Sequence, residues 1–141
     1  MSEYRGGCHC GALHYRYVTD LSPGEWPVRA CQCSFCRLHS ATTTSDPAGS
    51  LSFSAADAAP LQRYRFGGRT ADFLICCKCG AYLGATVKVD AARFGLVNLR
   101  TLRPIPQDLP APIAMHYDGE SVDARLSRRA ARWTPLLAGS L

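Results

Sequence analysis

Lysine is almost absent from this chain. Fourteen of its sixteen basic residues are arginine, and only Lys78 and Lys88 are lysine. That bias fits a GC-rich genome more simply than a phosphate-tracking surface. The formal charge of +5 therefore does not argue for a nucleic-acid partner, although it suits small anionic ligands. Long apolar runs are missing as well. No window approaches the roughly 18 continuous apolar residues of a membrane-spanning helix. The opening Met-Ser-Glu-Tyr-Arg-Gly-Gly lacks the apolar core of a secretory signal, which argues against export. Together these absences predict a cytoplasmic protein without a membrane partner. There is also no internal repeat and no low-complexity tract.

What remains is 141 residues, 47% apolar and 19% charged, which suits one domain spanning 1–141 with its own core. Turn residues recur at short intervals, as in a mainly β fold of many short strands. Leu13, Tyr15 and Tyr17 alternate with His14 and Arg16, the two-residue period of a half-buried strand. Gln62 to Phe66 alternates likewise and ends at the Gly67-Gly68 turn. Asp72 to Cys76 and Ala81 to Lys88 read as a hairpin, and Phe94 to Leu99 as a further strand. Helices are few. Phe35 to Ala41 can form a turn or two, and Ser54 to Ala58 at most one. Arg103 to Pro112 is extended by its four prolines. Ile113 to Tyr117 can be a short strand, and Ser121 to Arg132 a terminal helix. Arg125, Arg128, Arg129 and Arg132 would share one solvated face of that helix.

Eight cysteines are the chemical signal. In a reducing compartment they are not expected to be disulfides, and clustered spacing points to metal. They occur as Cys8-x-Cys10, Cys31-x-Cys33-x-x-Cys36 and Cys76-Cys77-x-Cys79. Thiolates are soft ligands that bind zinc tetrahedrally. Two plus two sulfurs make a closed site of Cys8, Cys10, Cys76 and Cys79. Such a site would clamp the N-terminus to a distant hairpin with an apparent stabilisation on the order of 10 kcal/mol. Cys31, Cys33 and Cys36 supply only three, which leaves a fourth position for an outside ligand, as in catalytic sites. An alternative pairs Cys33 and Cys36 with Cys76 and Cys79 as one zinc ribbon; an iron–sulfur cluster fits the spacing less well. Gly11 and Gly80 each follow a cluster and permit the tight, positive-φ turn that brings a backbone amide to sulfur. Cys77 has no partner and is expected to be a packed thiol on a strand.

Two neighbours of the middle cluster are candidates for chemistry. His39 falls three residues after Cys36, where it can act as a fourth ligand or proton shuttle, or simply be a hydrogen-bonded surface histidine. Arg37 can hold a carboxylate or polarise an oxygen, or project outward.

Three stretches carry a resemblance: Gly7-Cys8-His9-Cys10-Gly11-Ala12, Cys31-Gln32-Cys33-Ser34-Phe35-Cys36-Arg37, and Cys76-Cys77-Lys78-Cys79-Gly80, with twenty and thirty-nine residues between their cysteine clusters. In this order they resemble the glutathione-dependent formaldehyde-activating enzyme family, which also includes centromere protein V. The resemblance covers residues 4 to about 100 and leaves 101–141 as a C-terminal extension. The chain departs from the family pattern at Leu38, Ala41 and Ile75. The resemblance implies a β-tent fold of coiled antiparallel sheets around two zinc sites, one structural and one catalytic. It also implies a carbon–sulfur lyase-type enzyme that joins glutathione and formaldehyde, or a related thiol and aldehyde, or separates them. The alternative function is a non-catalytic zinc-binding module or glutathione carrier, or, with less to support it, a nucleic-acid-associated protein.

Overall fold

The computed structural model describes residues 1–141. Two open sheets, packed on each other, make up most of it. The smaller is antiparallel and contains β1 (Ser2–Gly7), β2 (Leu13–Thr19) and β5 (Ser50–Ala55), in the order β1-β2-β5. The larger has eight strands: β3 (Arg29–Cys31), β4 (Thr43–Thr44), β6 (Leu61–Tyr64), β7 (Ala71–Cys76), β8 (Tyr82–Val89), β9 (Ala92–Asn98), β10 (Ile113–Met115) and β11 (Thr134–Pro135). Its order is β10-β3-β4-β9-β8-β7-β6, with β11 added on β9. Only the β10–β3 pairing is parallel. Two α-helices complete the chain, α1 (Ser34–Leu38) and α2 (Val122–Arg132). The mainly β class expected from the sequence is borne out. No helix is long and apolar enough to cross a membrane.

The pleat explains the packing. In β2, Leu13, Tyr15 and Tyr17 are buried while His14 and Arg16 face water. Leu51 and Phe53 of β5 point to the same side and meet Leu74, Leu83 and Val97 of the large sheet. The aromatic rings meet edge to face: Tyr15 lies 5.5 Å from Phe53, and Trp26 lies 4.7 Å from Tyr4. Each such burial is worth about 1.5–3 kcal/mol, so this layer between the sheets is the main core.

The far face of the large sheet carries the functional groups. Six consecutive residues of β8, Tyr82 to Val87, are buried because both faces of this strand are covered. Beside Leu74/Ile75 of β7, the register jumps from Ile75↔Tyr82 to Leu74↔Gly84. This one-residue bulge resets the side-chain alternation. Tyr82 and Ala85, an odd number of positions apart, therefore both line the far face.

β1, β3, β4, β5 and β11 were not foreseen as strands. Residues 54 and 55, expected at most in a helical turn with 56 to 58, continue β5 instead. β1 was missed because its Gly- and charge-bearing sequence has weak strand propensity. It forms because it is the edge partner of β2 over six register pairs. The C-terminal residues are woven into the sheets. β10 extends the large sheet beside β3, β11 pairs with β9, and Leu141 N donates to Phe53 O at 2.9 Å.

Candidate metal centres and cavity

The turn after β1 and the β7–β8 turn meet at one end of the sheets. There the sulfurs of Cys8, Cys10, Cys76 and Cys79 lie within 4.8 Å of one another. Cys10 Sγ is 3.6 Å from both Cys8 Sγ and Cys76 Sγ. A disulfide needs about 2.05 Å. The observed spacing is instead the edge of a sulfur tetrahedron around a zinc-sized ion, about 3.8 Å for a metal–sulfur bond of about 2.3 Å. Gly11 and Gly80 adopt φ of +82° and +79°, where a side chain would be strained. These turns fold the backbone so that Leu13 N donates to Cys8 Sγ at 3.2 Å. The donor set fits a thiophilic cation.

The second cluster is built on β3 and α1. Cys31 ends β3, Cys33 is the N-cap of α1 and accepts from Cys36 N at 3.4 Å, and Cys36 sits within the helix. Their three sulfurs also lie within 4.8 Å of one another, with no fourth Cys, His, Asp or Glu in the group. Hydrogen bonds from Cys31 and Cys36 hold the Cys33 thiol far below its ordinary range. The same contacts, seen from the other side, push Cys31 and Cys36 up. Three thiolates this close would repel one another, and a bound cation relieves that repulsion. The two groups assembled here are Cys8/Cys10/Cys76/Cys79 and Cys31/Cys33/Cys36. The ribbon alternative is not assembled, since Cys76 and Cys79 lie with Cys8 and Cys10.

The surroundings of the two clusters differ. Cys31, Cys33 and Cys36 open into a cavity of about 200 Å³ on the far face of the large sheet, and no cysteine of the first cluster lines it. Phe73, Tyr82, Leu96, Met115 and Trp133 give it apolar walls. Burial keeps the Tyr82 phenol well above its usual pKa and therefore protonated. Arg29, Arg128 and Arg132 also reach the wall, and no Asp or Glu does.

Helix α2 closes this side. Ser121 caps it by accepting from Ala124 N. Glu120 accepts from Arg128 Nε at 2.8 Å and Nη2 at 2.9 Å. The Arg128 guanidinium lies 3.6 Å from the Tyr117 ring centre. Arg129 donates to Thr70 Oγ1 at 2.7 Å and rests 5.0 Å from the Trp133 ring, and burial lowers its pKa to about 10. The solvated arginine face expected for this helix is therefore not what forms. Arg128 and Arg129 pack inward because Glu120 and the Tyr117 ring just before the helix, Trp133 at its end and Thr70 ahead of β7 offer them partners.

Arg37 and His39 lie elsewhere. Both are exposed, and neither lines the cavity. His39 Nδ1 sits 2.9 Å from Phe35 O, and its ring lies 4.3 Å from the Phe35 ring. Cys77, expected to be packed on a strand, is exposed in the turn, 3.6 Å from Gln62 Oε1. The strand ends at Cys76, whose side chain turns inward, so its successor turns out. Sequence reasoning passed over Tyr82, Arg29 and Trp133 entirely. Arg29 had one available signal: in an extended strand it shares a face with Cys31.

Comparison with known proteins agrees with this arrangement. A family model described as "Glutathione-dependent formaldehyde-activating enzyme" matches residues 3–117. A Halomonas elongata protein named "Putative glutathione-dependent formaldehyde-activating enzyme" is 50% identical over 32 residues, which is 23% of this chain and 18% of that protein. The match thus spans less than a fifth of that curated relative. A crystal structure of a Rhodobacter sphaeroides protein is 31% identical, covers 79% of this chain and 99% of its own, and superposes with a TM-score of 0.62. With its three cysteine motifs inside the matched span, the chain belongs to the glutathione-dependent formaldehyde-activating enzyme family.

Proposed function

We propose that this protein is a zinc-dependent carbon–sulfur lyase-type enzyme that joins formaldehyde, or a related aldehyde, to the thiol of glutathione. The observation that carries this reading is the placement of the three-sulfur cluster, alone of the two, in the wall of a cavity. Cys8, Cys10, Cys76 and Cys79 would hold a structural zinc, and Cys31, Cys33 and Cys36 a reactive one with a position left for substrate. Bound there, the metal supplies a soft Lewis acid that keeps a thiol deprotonated at neutral pH.

The chain's own groups supply the rest. The sulfur of the substrate attacks the aldehyde carbon, one carbon–sulfur bond forms, and the carbonyl π bond opens onto oxygen. The thiol proton ends on that oxygen, so the product is an S-hydroxymethyl thiol and nothing is oxidised or reduced. Tyr82 remains protonated and can donate its O–H to the developing oxyanion. Phe73, Leu96, Met115 and Trp133 exclude water and hold the two reactants together, which turns a slow bimolecular encounter into a positioned one.

The test is Cys33→Ser compared with the parent, read by nuclear magnetic resonance of labelled formaldehyde with glutathione. The expected result is adduct formation above the spontaneous rate for the parent and background for the variant, with folding retained in both. Unchanged acceleration in a correctly folded Cys33→Ser protein would sink the proposal.

A further inference from the structure

We propose that Arg29 and Arg132 form a carboxylate clamp in the cavity wall, so that the protein accepts thiols bearing a carboxylate and discriminates against uncharged ones. The inference rests on the reading of this cavity as a thiol site. Of the three guanidinium groups that reach the wall, Arg128 is already engaged by both oxygens of Glu120. Arg29 and Arg132 form no ion pair with any carboxylate of the chain. Arg29 and Arg132 carry like charges beside walls that no Asp or Glu lines, and an incoming anion relieves their repulsion.

The two free arginines are also held together. Arg29 Nη1 donates to Ser45 Oγ at 2.9 Å, and Ser45 Oγ donates to the Arg132 carbonyl oxygen at 2.7 Å. Ser45 is fully buried, so this link fixes the end of α2 beside β3. Arg29 shares the strand face of Cys31, two residues on, which places a guanidinium and a sulfur ligand on one wall. The guanidinium fork matches a carboxylate with two parallel hydrogen bonds, whereas it gains little from a neutral amide. A volume of about 200 Å³ is below that of ordinary ligand pockets. It suits a thiol whose sulfur and carboxylate are only a few bonds apart, or that end of a longer molecule. Arg132 lies beyond residue 117, where the family match ends, so the match itself assigns it no such role.

The probes are 3-mercaptopropionate and its uncharged relative 3-mercaptopropionamide, titrated calorimetrically into the metal-bearing protein. Because hydrogen bonds to charged groups are the strong ones, the carboxylate should bind about tenfold or more tighter than the amide. In Arg132→Gln that preference should fall to about threefold or less, while affinity for the amide and the melting temperature stay as they were. Arg29→Gln should lower the preference likewise, with a lower melting temperature, since it also removes the hydrogen bond to Ser45. Should Arg29→Gln fail to fold, Arg132→Gln decides alone, since Arg132 is exposed. Full discrimination retained in a folded Arg132→Gln overturns the clamp. A separate arm follows adduct formation with formaldehyde. Arginine-dependent binding without any adduct sinks the catalytic reading and leaves the clamp standing. Adduct formation at equal kcat/KM for both thiols does the reverse.

Discussion

Ser45 and Arg132 are joined across eighty-seven positions of sequence by a hydrogen bond of 2.7 Å from the serine hydroxyl to the arginine carbonyl oxygen. The same hydroxyl accepts from Arg29. One buried oxygen thus ties β3, the segment after β4 and the end of α2 into a single wall. Ser45→Ala removes the link and leaves a donor and an acceptor unpaired. The expected cost is about 1–2 kcal/mol, a fall of roughly 3–6 °C in melting temperature for a domain of this size. Differential scanning calorimetry measures it; an unchanged melt would mean that the wall does not depend on this bond.

The two cysteine clusters should respond differently to single substitutions. Cys79→Ser opens the four-sulfur cluster that joins the start of the chain to the β7–β8 turn, and it should leave little folded protein, because structural metal sites supply about 10 kcal/mol or more. Cys33→Ser should keep the strand signature in circular dichroism and lose about one metal per chain, since three-ligand sites bind weakly once a ligand is removed. Elemental analysis beside thermal melts separates these outcomes, and identical behaviour of the two variants would contradict the division of roles.

Much of this grouping of the cysteines was legible in the sequence, because metal-ligand grouping is written in short spacings. Cys8-x-Cys10 and Cys76-x-x-Cys79 are each local, and the glycines after them mark the turns. The β2 alternation was equally local. Tyr82 was not legible. It reaches the cavity because a bulge opposite Leu74/Ile75 shifts the alternation of β8, and no periodicity announces a bulge. Arg29 was hidden for another reason: its partner Ser45 and its neighbour Arg132 come from segments that meet only in three dimensions. The α2 arginines read as solvated because helical spacing shows which residues share a face and not what that face meets.

Tyr82→Phe tests the hydrogen-bond donor. The ring fills the same space, so stability should be unchanged. Losing one donor to a developing oxyanion should lower kcat by about a hundredfold with little change in KM. Steady-state kinetics with glutathione and formaldehyde decides it, and a full-rate Tyr82→Phe enzyme would remove Tyr82 from the mechanism.

Acid should loosen α2 through Glu120. Its hydrogen bond with Arg128 holds the carboxyl below its ordinary 4.5. A depressed folded-state pKa contributes stability that is present above the unfolded value and is lost as pH falls through the folded one. Parent and Glu120→Gln proteins should therefore differ in melting temperature at about pH 7 and converge as pH drops toward about 3. A gap that stays constant across this range would show that the ion pair does not anchor the helix.

The most direct measurement of the central claim is the rate at which labelled formaldehyde is converted to its glutathione adduct, followed by nuclear magnetic resonance in the presence of the parent, Cys33→Ser and no protein. The account predicts acceleration by the parent alone, with Cys33→Ser folded yet indistinguishable from the uncatalysed reaction. Equal acceleration by the parent and a folded Cys33→Ser protein would contradict it, because the chemistry would then not belong to the cavity that holds Cys31, Cys33 and Cys36.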